Sequence, residues 1–106
     1  MTIDELNEQI KSNESLLVYF SGEHCGVCKS LKPKIFDAFT KTYPKIKLLE
    51  IKTEENLELA RQFSVFALPS ILIFFDGVKF QKKDRNISVS ALIQDVKRPY
   101  DMFFGN

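Results

Sequence analysis

A single histidine and two cysteines are the only soft metal ligands this sequence contains, whereas a structural zinc site takes four ligands. His24 directly precedes Cys25, which sets it poorly for the same tetrahedron. No metal ligand is therefore assigned, and half of a metal site stays only as an alternative. Long apolar runs are missing as well: none approaches the roughly 20 residues of a membrane span. The amino end, MTIDELNEQIKSN, has neither a basic n-region nor an apolar h-region. The expectation is a cytoplasmic protein away from membranes, with a trimmed export signal as the alternative. No charge sign dominates, with 15 Lys and Arg against 14 Asp and Glu and a formal net charge of +1. That balance gives no chain-wide attraction for nucleic acid or anionic lipid, so a partner must be recognised locally. Repeats, linkers and low-complexity stretches are absent too, and residues 1–106 are read as one domain.

What is present is ordinary globular material: 44% apolar residues, 12% aromatic with ten Phe, and 27% charged. A domain of this size buries about two-thirds of its unfolded surface around one core. Thr2 and Glu5 have the spacing of a capping box, and Ile3, Leu6 and Ile10 fall on one face, which predicts a helix over residues 3–11. SLLVYFS is a short apolar run suited to a strand buried on both faces. From Cys25 onward, CGVCKSLKPKIFDAFTKTY places Leu31, Ile35, Ala38 and Thr42 on one side with Phe36, Phe39 and Tyr43 nearby. This is a long helix that Pro33 should kink. KIKLLEIK reads as a second strand, and Thr53 as the cap of a short helix to about Phe63, with Leu57 and Ala60 inward. PSILIFF, then DG, then VKFQKK is a hairpin signal. Ser88 can cap a last helix that Pro99 should end near Arg98. The order implies an α/β sandwich with a mixed four-stranded sheet flanked by helices.

Both cysteines lie in SGEHCGVCKS, residues 21–30. At i and i+3 on a first helical turn their β-carbons lie about 5 to 6 Å apart, close enough for a disulfide after a small adjustment. A strand running into a helix puts Cys25 at the helix start, where unpaired amides and the macrodipole favour an anion. That effect alone would bring its thiol to about 7 to 8, sufficient for exchange at neutral pH. Cys25 is therefore the candidate nucleophile and Cys28, one turn inside, the resolving thiol. A protonated His24 would acidify Cys25 further and Glu23 would oppose it. Two inert core thiols remain an alternative. Covalent haem would need His after the second Cys, where Lys29 stands, and no cofactor is implied.

With these residues in view the chain resembles the thioredoxin family. FSGEHCGVCKSLKP is similar to that family's strand, its Cys-Gly-x-Cys-Lys helix start with Gly26, and its helix proline. ALPS followed by ILIFFDGVKF, residues 67–80, is similar to its cis-proline strand and hairpin. The resemblance runs over about residues 15–98 and implies a thioredoxin-like fold, with the family's usual first strand missing and one sheet edge bare. It implies that Pro69 is cis against the disulfide and that the backbone of Leu68 pairs with an extended substrate segment. His24 stands where the family usually has Trp, and Val27 where it has Pro; both alter the surroundings of the thiolate. The family's buried Asp and its Lys partner match Tyr19 and Glu50. From this follows the expectation that Glu50 is a buried proton acceptor for Cys28, hydrogen-bonded to Tyr19, against the plainer reading of a carboxylate reaching solvent at a strand end. Arg85 matches a docking glycine and reads either as a basic lip favouring acidic partners or as a solvated turn.

The resemblance implies a thiol-disulfide oxidoreductase that reduces protein disulfides and draws electrons from a donor, for which a thioredoxin reductase is the family's candidate. The competing class is a binding module that keeps the fold without turnover. The tail PYDMFFGN, residues 99–106, lies outside the resemblance. It is expected to pack back on a monomer, with a dimer contact as the alternative.

Overall fold

The computed structural model describes residues 1–105. Its elements are α1 (Ile3–Ser12), β1 (Ser15–Ser21), α2 (Gly26–Thr42), β2 (Lys47–Lys52), a 3-10 turn (Thr53–Glu55), α3 (Leu57–Gln62), β3 (Ser70–Phe75), β4 (Val78–Asp84) and α4 (Val89–Phe104). The start of α1 is a reciprocal capping box: the Glu5 amide donates to the Thr2 hydroxyl at 3.1 Å and the Thr2 amide to the Glu5 carboxylate at 2.7 Å. Asp76 and Gly77 both adopt positive φ, 53° and 77°, the twist that lets a two-residue turn join β3 to β4.

The strands form one mixed sheet in the order β2-β1-β3-β4. β1 runs parallel to β2 and antiparallel to β3, and β3 is antiparallel to β4. Every residue of β1 is buried, because alternate side chains enter different cores. Leu17 and Tyr19 join Cys28, Ile35, Phe39, Leu92 and Val96 on the α2 and α4 side. Leu16, Val18 and Phe20 join Leu6, Ile10, Leu59 and Val65 on the α1 and α3 side. The chain enters the sheet with β1 directly after α1, and β2 and β4 are its edges.

Four expectations are corrected. Helix α4 does not stop at Arg98 but runs through Pro99 to Phe104. Pro in a helix interior costs about 3 kcal/mol, and burial of the aromatic groups beyond it, each about 1.5 to 3 kcal/mol when complete, outweighs that cost. Thr53 does not cap α3; its hydroxyl donates to the Ser21 carbonyl at 2.9 Å, and the helix begins only at Leu57. Leu57 points outward, with Leu59 and Ala60 forming the inner face. Thr42 is exposed as well, the inner seam of α2 running through Cys28, Ile35 and Phe39. The tail packs on its own domain through Tyr100 and Phe104, and its last residue, Asn106, lies outside the described residues.

Candidate active site

Cys25 is the N-cap of α2, in extended conformation at φ −98° and ψ 97°. Its sulfur accepts the Cys28 backbone N–H at 3.2 Å, and the Cys25 amide donates to the Gly22 carbonyl at 3.2 Å. The two cysteines are joined as a disulfide, with Cα atoms 5.3 Å apart. Cys25 is half-buried, whereas Cys28 is 1% exposed and belongs to the core between the sheet and α2. One sulfur is thus open to a partner and sits on the free amides of a helix start, while the other is shielded a turn behind. His24, Gly26 and Val27 are exposed around the open cysteine. Nothing lies within 4 Å of where a β-carbon on Gly26 would stand, so that glycine meets no close neighbour.

Below the pair, Tyr19 and Glu50 are direct neighbours across the β1/β2 pairing, yet they do not bond to each other as expected. The Tyr19 hydroxyl instead donates to the Cys28 carbonyl at 2.8 Å. Burial first, and the Glu50 charge second, push the Tyr19 phenol up to about 12. Glu50 is held differently: Lys32 Nζ donates to it at 2.7 Å, Ser21 Oγ at 2.8 Å, and Lys52 Nζ lies 3.8 Å away. Its side chain is 19% exposed, so it is not fully buried. Burial pushes its carboxyl up, but the bonds from Lys32 and Ser21 and the charges of Lys32 and Lys52 outweigh this and leave it below the ordinary value. Glu50 and Cys28 both line a polar cavity of about 200 Å³, together with Ser21, Gly22, Lys29, Lys32 and Lys52.

On the other flank the Leu68–Pro69 peptide bond is cis. The Ser70 hydroxyl fastens this loop, bonding the Ala67 carbonyl at 2.6 Å and the Asp84 carboxylate at 2.7 Å. A β-carbon on Gly22 would stand 2.8 Å from Leu68 Cδ1 and 3.7 Å from Cys25 Cβ. The absence of a side chain at Gly22 is what makes room for Leu68 beside the loop that leads to Cys25. Arg85 joins the site through its backbone, its N–H donating to the Pro69 carbonyl at 2.8 Å. It does so at φ 57°, a left-handed conformation that favours glycine, and its side chain is exposed.

The structure adds two residues that the sequence did not single out for the site, Gly22 and Glu54. The Glu54 carboxylate accepts the Glu23 backbone N–H across the gap between the β2 end and the cysteine loop. That bond first, with the nearby charges of His24 and Lys52 among the lesser causes, holds the Glu54 carboxyl below its ordinary value. No spacing signal marks Glu54, because its contact is made to the backbone of a distant segment. Among the described residues no group of three or more His, Cys, Asp and Glu is placed to hold a metal ion.

The family model described as Thioredoxin matches residues 1–98. The thioredoxin-like protein YdfQ of Bacillus subtilis is 33% identical over 96 residues, which cover 91% of this chain and 85% of that protein. A thioredoxin of Rickettsia typhi is 31% identical over 83 residues, 78% of this chain and 76% of its own. Among solved structures, oxidised mitochondrial thioredoxin 3 of Saccharomyces cerevisiae superposes with a TM-score of 0.78 at 26% identity, covering 90% of this chain and 88% of that one.

Proposed function

This chain belongs to the thioredoxin family, its Cys-x-x-Cys disulfide marks it as a thiol-disulfide oxidoreductase, and we propose that it works as a reductant of protein disulfides. The observation that carries this reading is the unequal placement of the two sulfurs, one open at a helix start and one buried a turn behind.

In the dithiol form the Cys25 thiolate attacks one sulfur of a substrate disulfide, forming a mixed disulfide and expelling the first substrate thiolate, which takes up a proton. Cys28 then loses its proton and attacks Cys25 Sγ. The Cys25–Cys28 bond forms, the mixed disulfide breaks and the second substrate thiolate leaves. Two electrons pass to the substrate, and a donor such as a thioredoxin reductase returns them. Glu50, ionised at neutral pH and facing the same cavity as Cys28, is the group we assign to receive the Cys28 proton. An extended substrate segment would lie along Leu68 and Pro69, with the exposed Arg85 guanidinium at the rim favouring acidic neighbours. In the cytoplasm, a potential near the about −270 mV of thioredoxin would drive reduction.

Insulin reduction driven by dithiothreitol tests this reading. Wild type is expected to accelerate precipitation of the insulin B chain, and Cys25→Ser to fall to the uncatalysed rate. Equal rates for the two proteins would leave the fold as a binding module without turnover.

A further inference from the structure

The 3-10 turn after β2 brings Glu54 against the loop that carries the nucleophile. Its Oε2 lies 3.3 Å from the point a β-carbon on Gly22 would occupy, and Cys25 Cβ lies 3.7 Å from that same point. The carboxylate and the nucleophile's β-carbon are therefore within about 7 Å of each other, inside the screening length of about 8 Å at physiological ionic strength. The same oxygen accepts the Glu23 N–H, so this side chain also fixes the backbone two residues before Cys25. Neither contact belongs to the exchange steps above.

We propose that Glu54 is a positioning residue for Cys25, anchoring the loop from Gly22 to His24 and holding the thiol less acidic than the helix start alone would make it. The inference rests on Cys25 being the attacking thiol. A negative charge beside the site opposes formation of the thiolate, as the helix amides favour it. The other charged groups about the cysteine pair divide by sign, Lys29 and Lys32 of α2 facing Glu50 of β2 around the cavity that holds Cys28. Glu23 and His24 come from its own loop, and Lys52 and Glu55 from β2 and the turn, where with Glu23 and Glu54 they line a cavity of about 290 Å³. Arg85 comes from the end of β4, behind Pro69. His24 is the cation on the nucleophile's own loop that faces Glu54, its charge among the lesser causes that lower that carboxyl. A thiol kept near neutral acidity stays nucleophilic once ionised, which suits attack on substrate disulfides.

The test is the pH profile of Cys25 alkylation by iodoacetamide in the reduced protein, on a Cys28→Ser background so that one thiol reports. Neutral Glu54→Gln and Glu54→Ser are expected to lower the profile's midpoint by a few tenths of a pH unit, about a twofold rise in thiolate fraction below the midpoint. Glu54→Asp, which keeps the charge, is expected to stay near the parent midpoint. Loosening of the loop alone would change the alkylation rate without moving the midpoint, and that result overturns the proposal. So does a shift shared by all three variants. Loss of wild-type insulin reduction would sink the reductase reading and leave this midpoint comparison standing, so the two failures are separable.

Discussion

Glu50 shows how one side chain's neighbours decide its chemistry. Placed at the middle of an edge strand, it would reach solvent, but Lys32 from α2 and Ser21 from β1 close on it at 2.7 and 2.8 Å. Its carboxyl is depressed in the folded protein, so it contributes stability above the unfolded carboxylate value, and that contribution is lost as pH falls through the native one. Glu50→Gln is therefore expected to cost about 1 kcal/mol or less at pH 7, the half-exposed Lys32 admitting solvent screening. The gap from wild type should close as pH drops below about 4. Urea midpoints at pH 7, 5 and 3 measure this, and a gap that widens in acid would contradict the assignment. The same variant tests the proton role, since an unchanged pH profile of disulfide reduction would remove Glu50 from the chemistry. The family resemblance placed Glu50 beside the site but not its bonding partners, because Lys32 and Ser21 come from other elements whose packing no local pattern encodes.

Elements were legible where their signals are local. The capping box at Thr2, the Asp76-Gly77 turn and the buried run of β1 each follow from neighbours a few residues apart. The end of helix α4 is not legible locally because Pro99 is a stop signal, whereas the reasons to continue are distant: Tyr100 packs on Tyr43 with tilted rings whose centroids lie 4.6 Å apart, and Phe104 approaches Phe75 at 6.4 Å. The Pro99 ring removes one intrahelical hydrogen bond and crowds the preceding turn. Pro99→Ala is thus expected to stabilise the fold by about 1 to 3 kcal/mol, read as a rise in Tm of about 4 to 8 °C per kcal/mol. A fall in Tm instead would mean that the bend imposed by proline is needed to seat Tyr100 and Phe104. The edge strand β4 carries its own safeguard in Lys79, Lys82 and Lys83, cations that oppose pairing with a second sheet.

The whole molecule is one sheet with a core on each face, and the reactive pair is built into one of them. Cys28 shares its cluster with Phe39, Tyr43 and Tyr100, so packing at the far end of α2 and α4 bears on the same body that fixes the resolving thiol. The tail closes that cluster: Tyr43 donates its hydroxyl to the Ile93 carbonyl, the Lys45 amide donates to the Tyr100 hydroxyl at 3.2 Å, and the Tyr100 and Phe104 rings lie 4.7 Å apart. Met102, by contrast, is 76% exposed and touches solvent on the outer side of α4. If the tail serves the monomer's own core, deleting residues 99–106 removes the buried Tyr100, worth about 3 to 5 kcal/mol on truncation, together with the half-buried Phe104. Against the about 5 to 15 kcal/mol of a typical domain, the shortened chain is expected to lose at least 15 °C of Tm or to fail to fold. Met102→Ser should leave both Tm and solution mass unchanged. Light scattering and thermal unfolding on the full chain and the two variants decide the matter: a dimeric full chain that becomes a monomer of unaltered Tm on truncation would make the tail an interface instead of a core element.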